Sequence, residues 1–307
     1  MSSPAPTERV EDPRRGVALG LGAALFAAIF LLMFQSASRA AAREPVVIAM
    51  LAASALFNFG FALTRREAAA KREVSREVTA LTIGVFVLTT IGGNIGMAGA
   101  LARLGPGITG TILQTQVFLV ALGGRLFLGE KLSFAFLVGI GLAFGGFVVL
   151  GLADPVEGRI DPWGVAFAML ASTAFGGMLL WTRAVITRIE PVTVNVARLG
   201  LAVVVLSLIP GHFEGVLALP WPVWLAVVGA AACGPFISRL MLMFASEHIG
   251  ASRLKLITLV SPVIAFGLEW AVLGSPPAVH ELIAGALILA GVLLPLAVDA
   301  RRPLAEP

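Results

Sequence analysis

Three polar residues, Gln114, Thr115 and Gln116, interrupt a long apolar stretch of the sequence. Such side chains either recognise the polar groups of a small molecule or form hydrogen bonds between helices, and both interpretations remain open. Gln114 and Gln116 lie about 200° apart around a helix, so they cannot both face one cavity. We predict a binding site built from one of them and from the polar residues of other apolar stretches, namely Asn94, Asn58 and Ser261.

Four basic residues also lie in or beside apolar stretches, at Arg198, Arg239, Arg253 and Lys255. A positive charge in such a place can attract an anionic or carboxylate-bearing molecule. The alternative is that each long side chain extends, or snorkels, towards polar surroundings. We predict that Arg239 and Lys255 contribute to substrate binding and that Arg198 contributes to coupling or gating.

Two further residues are candidates for coupling or gating. Glu269 is an acidic residue near the end of an apolar stretch, where it is either a proton-coupling acid or an interfacial carboxylate. Pro235 follows Cys233 and Gly234 in the middle of another stretch. Because proline removes one backbone hydrogen bond from a helix, this segment is either a hinge or a static kink.

The sequence provides no pattern for catalysis or for a bound metal. A single cysteine and three scattered histidines do not form a metal centre, and there is no GxxxxGK[ST] pattern for binding ATP. Intramembrane proteases and Mg²⁺-dependent transferases need paired acidic residues, but the aspartates lie in loops or tails. We therefore predict a protein that is not an enzyme and that uses no cofactor and no metal. The aspartates are Asp12, Asp154, Asp161 and Asp299.

The elements that must position these residues are membrane-spanning helices. Of the 307 residues, 58% are hydrophobic and 13% are charged, whereas a soluble domain has about 25% charged residues. A bilayer core about 30 Å thick needs roughly 20 apolar residues per helix. This predicts an all-α integral membrane protein with ten transmembrane helices. The expected spans are 16–37, 45–64, 78–101, 107–125, 133–152, 162–184, 191–210, 222–245, 250–273 and 279–298.

The distribution of basic residues predicts the orientation of these spans. If both termini are cytoplasmic, 16 of the 22 basic residues lie in inner segments and four lie in outer loops. Positive residues are enriched in cytoplasmic loops, so both termini are expected on that side. The net charge of +4 comes from the ends of apolar stretches rather than from one basic face, so no nucleic-acid partner is expected.

The second half of the chain repeats the first at an offset of 145 residues. This offset aligns Gly105 with Gly250, Gly146 with Gly291 and Asn94 with Arg239. Each half has five spans, so the second half enters the membrane from the opposite side. Such inverted repeats are a recurrent basis of alternating access in transporters. The predicted units are an N-terminal tail (1–15), a first repeat (16–152), a second repeat (153–298) and a C-terminal tail (299–307).

The stretch 105–151, with Gly-Ile-Thr-Gly-Thr-Ile-Leu-Gln-Thr followed by Phe-Leu-Gly-Glu-Lys-Leu-Ser, resembles the EamA-type drug/metabolite transporter superfamily. The segment Ser261-Pro262-Val263 and the region 192–208 around Arg198 are similar to other parts of that family. The resemblance covers nearly the whole chain. It implies ten helices in two inverted five-helix halves.

The resemblance also implies a function. Its bacterial members include the YddG-like aromatic amino-acid exporters, so we expect a secondary transporter that exports small metabolites, most specifically amino acids, across the bacterial inner membrane. The expected partners are a small-molecule substrate and membrane lipid, in a monomer. Protons are the candidate coupling ion, with facilitated diffusion as the alternative. A lipid flippase, or a non-transport membrane protein on the same fold, is the alternative function.

Overall fold

The structure is a computed structural model, and it describes residues 13–64, 76–128, 134–152, 161–185, 191–246, 248, 254, 257–274 and 276–300. Its helices begin and end within three residues of the predicted spans, except in the fourth, eighth and ninth spans. They are α1 (Pro13–Ala40), α2 (Arg43–Thr64), α3 (Arg76–Arg103), α4 (Pro106–Leu113), α5 (Gln116–Leu128), α6 (Phe134–Leu152), α7 (Pro162–Val185), α8 (Pro191–Ser207), α9 (His212–Leu217), α10 (Trp221–Ala231), a π-helical segment (Ala232–Ser238), α11 (Arg239–Ser246), α12 (Ser261–Leu273) and α13 (Val279–Ala300).

The protein is an all-α membrane protein, as the composition predicts. Five of the described helices are long and apolar enough to cross a membrane, and four shorter ones are apolar over 10–17 residues. Large apolar side chains such as Leu88 and Phe134 cover the outside of the bundle. Such an apolar exterior suits contact with lipid chains, because those chains cannot hydrogen-bond to polar groups.

The fourth span is not the continuous helix that was predicted over 107–125. It is divided into α4 and α5 at Gln114 and Thr115, where Thr115 N donates to Ile112 O at 3.0 Å. The ninth span is broken at Leu259 and Val260, where Val260 N donates to Ile257 O at 3.1 Å. The two breaks lie 145 residues apart, which is the offset of the sequence repeat.

The contacts between spans show the two-fold relationship of the halves. α6 packs along α13, α2 along α8, and α4 against α12, so each of these spans contacts its own counterpart. At one such crossing Gly146 lies against Ala284 and Ile288, and Gly291 lies against Gly139 and Ala143. These two sets of contacts are related by the same 145-residue offset. The halves are therefore inverted repeats that pack face to face.

The bundle has two ends, called the Glu269 end and the Arg14 end after one residue at each. The Glu269 end holds the C-terminal ends of α1, α3 and α12 and the N-terminal ends of α2, α4, α7 and α13. The Arg14 end holds the N-terminal ends of α1, α3 and α8 and the C-terminal ends of α2, α7 and α11. This assignment follows from the chain crossing the bundle once per span.

Candidate functional site

A buried guanidinium lies at the centre of a polar network that joins four helices. Arg198 on α8 donates from Nε and Nη2 to Oδ1 of Asn195, at 2.9 and 2.7 Å. From Nη1 it donates to Thr90 Oγ1 on α3 at 2.6 Å and contacts the sulfur of Met178 on α7 at 3.4 Å. Asn195 Nδ2 then donates to Asn58 Oδ1 on α2 at 3.0 Å. Only 8% of the Arg198 surface is exposed.

The hydrogen-bonding rules determine the orientation of both amides in this network. A guanidinium only donates, so Asn195 must present its oxygen to Arg198 and its nitrogen to α2. Asn58 must then accept with Oδ1, and its own nitrogen donates to Ser54 O at 2.8 Å. On the other side of Arg198, the amide of Asn94 donates to Thr90 O at 2.7 Å. Each side chain in the network therefore has a defined role as donor or acceptor, and these hydrogen bonds hold α2 and α3 against α8.

A second arginine lies beside this network. Arg239 is close enough to Arg198 for the two positive charges to interact. Its side chain is accessible to solvent even though many protein atoms surround it. One helical turn earlier, Phe236 stacks on Phe57 of α2 with ring centroids 5.6 Å apart. Phe236 also contacts Phe61, so the helical turn before Arg239 packs against the face of α2 that carries Phe57 and Phe61.

The acidic side chains that the structure describes all lie at the Glu269 end, far from these arginines. Two of them, Glu44 and Asp161, form ion pairs with Arg43 and Arg103 at 2.7 and 3.1 Å. Arg198 is seven residues from the start of α8, about 10 Å from the Arg14 end. Of the five acidic side chains that the structure describes, none is a partner of Arg198 or Arg239. The remaining acidic residues of this group are Glu214, Glu269 and Glu281.

The break between α4 and α5 forms a second polar cluster. Thr115 Oγ1 lies 2.9 Å from Ser172 Oγ on α7, and both side chains are buried. Gln114 and Gln116 flank Thr115 and are half-buried, and the backbone of Gln116 packs against Gly176. Ser172 and Met178 are six residues apart on α7, so this cluster lies about 9 Å from the Arg198 network.

Ser261 lies near that second cluster, where the fourth and ninth spans cross. It is buried at the first position of α12. The next residue, Pro262, packs against Gly110 of α4. Ser261 therefore follows the break in the ninth span as Gln116 follows the break in the fourth, which agrees with their alignment by the sequence repeat.

Pro235 lies within the π-helical segment of the eighth span. A π-helix has a wider turn than an α-helix, and single π turns are often found at functional positions. Gly234 leaves room for Phe30 of α1, and Ser238 donates from Oγ to Ala23 O at 2.9 Å. The segment is therefore packed tightly against α1, and it ends directly before Arg239.

Glu269 stabilises the N-terminus of α4. Its carboxylate accepts a hydrogen bond from Gly107 N at 3.3 Å and lies against Gly105, where an added Cβ would contact the carboxylate. Because the N-terminus of a helix carries a partial positive charge, a carboxylate is favourable there. The carbonyl of Leu104 accepts from Gln35 Nε2 at 3.1 Å and from Arg39 Nη2 at 3.5 Å. These contacts join α1, α4 and α12 at the Glu269 end.

Sequence reasoning identified some of this network and missed the rest. Asn94, Arg198 and Arg239 are brought together, whereas the snorkelling interpretation is wrong for Arg198, whose guanidinium is bonded inside the bundle. Lys255 and Arg253 lie outside the described residues. Asn195 was missed, although its position three residues before Arg198 on one helix face was a usable signal. Thr90, Met178 and Ser172 were missed as well.

Comparison with known proteins places the chain in a family. The EamA-like transporter family matches residues 14–152 and 162–296. A solved structure described as "Crystal structure of protein" has 20% identity and a TM-score of 0.61, over 95% of this chain and 99% of the other, and it shows the fold alone. Among curated proteins, no relative matches the sequence. The chain belongs to the EamA-like transporter family, whose members are multi-pass membrane transporters of small solutes rather than enzymes.

Proposed function

We propose that this protein is a secondary transporter that exports small carboxylate-bearing metabolites, most specifically amino acids, by alternating access. The observation that carries the proposal is the buried Arg198 beside Arg239, with no carboxylate partner among the acidic side chains that the structure describes. A charge inside a membrane is costly unless it is paired or reaches water. The carboxylate of a substrate would supply the missing negative charge.

The surroundings of the two arginines favour an amino acid with an apolar or aromatic side chain. Met178 contacts Arg198, and Phe236 stacks on Phe57 one helical turn before Arg239. Aromatic and thioether groups pack well against aromatic rings. In this proposal the guanidinium of Arg239 binds the substrate carboxylate directly. Charge-assisted hydrogen bonds of this kind contribute about 1.5–3 kcal/mol each.

We propose that the Glu269 end is the outer gate and that the structure represents an inward-facing state. Every residue of α4 from Pro106 to Ile112 is buried, and Gln35, Arg39 and Glu269 tie its N-terminus to α1 and α12. On the Arg14 side of the break, Gln114 and Gln116 are half-buried. In this assignment both termini are cytoplasmic, the membrane is the bacterial inner membrane, and substrate enters from the Arg14 end.

The two helix breaks and the π-helical segment are the points at which we propose that the helices bend during transport. Gln114, Gln116 and Ser261 would contact the substrate as it passes the breaks, and Pro235 would act as the hinge of the eighth span. Glu269 is the candidate proton acceptor, because opening the outer gate would expose it. We propose a monomer, since one chain contains both repeats needed for alternating access.

Counterflow in proteoliposomes tests the proposed substrate class. Purified protein should accelerate the entry of labelled L-phenylalanine into vesicles loaded with unlabelled L-phenylalanine, and phenethylamine, which lacks the carboxylate, should compete at least tenfold less well. The same vesicles with and without a proton gradient test the coupling ion. Translocation of a labelled phospholipid with no amino-acid flux would contradict the proposal and favour a lipid flippase.

A further inference from the structure

We infer that Asn195, held by Asn58, determines the charge selectivity of the central site by keeping Arg198 uncompensated. This inference rests on the proposed function, because it concerns the carboxylate of the same substrate. Asn195 Oδ1 accepts two hydrogen bonds from Arg198, at 2.9 and 2.7 Å. That is the place where the carboxylate partner of a buried arginine is usually found.

The amide satisfies the hydrogen-bonding needs of Arg198 without neutralising its charge. Nε, Nη1 and Nη2 each have an acceptor, so the guanidinium is held in one orientation. Among the described residues its bonded partners Asn195, Thr90 and Met178 are all neutral, so they leave the positive charge of Arg198 in place. An anionic ligand is therefore favoured at this position, and a cationic one is disfavoured by both Arg198 and the neighbouring Arg239.

Asn58 fixes the amide of Asn195 in the orientation that this selectivity needs. Its Oδ1 accepts from Asn195 Nδ2 at 3.0 Å, and its own Nδ2 is occupied by Ser54 O at 2.8 Å. A flip of Asn195 would place its nitrogen against Arg198 and its oxygen against the oxygen of Asn58, which costs hydrogen bonds on both sides. We therefore assign Asn195 as the specificity-determining residue and Asn58 as a positioning residue.

Replacement of Asn195 by aspartate tests the inference, because the two side chains have the same shape and differ in charge. Asn195→Asp would keep the oxygen that accepts from Arg198 and would add a built-in counterion. In purified protein we expect the melting temperature without substrate to stay the same or rise. The affinity for L-phenylalanine should fall tenfold or more, and the preference for L-phenylalanine over phenethylamine should shrink by at least the same factor.

Thr64→Asp is the matched control. Thr64 is exposed at the end of α2, so the new aspartate adds the same charge outside the network. It should leave both affinities within about twofold of those of the unmodified protein. An Asn195→Asp protein that keeps the original preference would overturn the inference. If Asn195→Asp does not fold, Asn58→Ala serves instead: it frees the Asn195 amide and should reduce the preference severalfold, and an unchanged preference would overturn the inference.

The failure of the inference is distinguishable from the failure of the proposed function. If the unmodified protein binds L-phenylalanine and phenethylamine equally, the proposed carboxylate substrate is wrong, whatever the variants do. If the unmodified protein prefers L-phenylalanine but Asn195→Asp does too, then only the role of Asn195 is wrong. Loss of structure would lower the melting temperature of Asn195→Asp. A melting temperature that rises while carboxylate affinity falls therefore shows an effect of charge.

Discussion

Arg198 Nη1 donates a 2.6 Å hydrogen bond to Thr90 Oγ1, which joins α8 of the second repeat to α3 of the first. Both side chains are buried, so this contact lies in the interior of the bundle. The guanidinium therefore links the two halves and places a positive charge between them. If the halves move relative to each other during transport, this contact is among those that must change.

Removal of either arginine should weaken the binding of carboxylate substrates. We expect Arg198→Gln or Arg239→Gln to lower the apparent affinity for amino acids tenfold or more, and phenethylamine to be affected much less. The amino-acid affinity of Arg198→Lys should lie between those of the unmodified protein and Arg198→Gln. A lysine keeps the positive charge, but its ammonium cannot donate the forked pair of hydrogen bonds to Asn195. Competition in proteoliposomes measures these effects, with membrane insertion confirmed for each variant. Unchanged affinity in both glutamine variants would place the substrate carboxylate elsewhere.

Removal of the Glu269 carboxylate should loosen the outer gate. The interaction of a carboxylate with a helix N-terminus contributes about 0.3–1 kcal/mol, and up to ~2 kcal/mol when partly buried. We expect Glu269→Gln to increase the fraction of molecules open at this end by about two- to tenfold. A cysteine at the buried position 108, in a Cys233→Ser background, should react faster with a membrane-impermeant thiol reagent. An unchanged or slower reaction would show that Glu269 does not hold the gate.

The reciprocal packing of α6 and α13 predicts equal effects for two glycines. A methyl group on Gly146 would lie 2.8 Å from Ala284 O, and one on Gly291 would lie 2.9 Å from Ala143 N. We expect Gly146→Ala and Gly291→Ala each to destabilise the protein by about 1–3 kcal/mol. Gly141 has no neighbour within 4 Å of that position, so Gly141→Ala should be neutral or slightly stabilising. Thermal unfolding in detergent compares the three.

The distribution of basic residues predicts the orientation in the membrane. A cytoplasmic reporter fused after Arg302 should be active, and a periplasmic reporter at the same position should be inactive. A periplasmic reporter fused in the loop after Ala40 should be active, because this loop lies at the opposite end of α1. The reverse pattern would exchange the inner and outer gates and with them the proposed direction of transport.

The sequence by itself determined the membrane class, the positions of the spans and the inverted repeat. Repeated apolar stretches about 20 residues long, with few charges, are typical of membrane-spanning helices, and an odd number of spans per repeat forces the inversion. The 145-residue offset also pairs Gly146 with Gly291, and in the structure each of these glycines packs against equivalent residues of the other repeat. These properties depend on local composition and on chain order.

Only the tertiary structure decided which polar groups become partners. Arg198 and Thr90 are 108 residues apart in the chain, and Glu269 and Gly107 are 162 apart. Apolar helices pack through many interchangeable side chains, so a span's composition does not say how far it is rotated about its axis. That rotation places Asn58, Thr90 and Asn195 around Arg198 rather than towards lipid, and it turns Glu269 towards the start of α4. The pattern of hydrogen bonds in the site is therefore a consequence of how the spans pack.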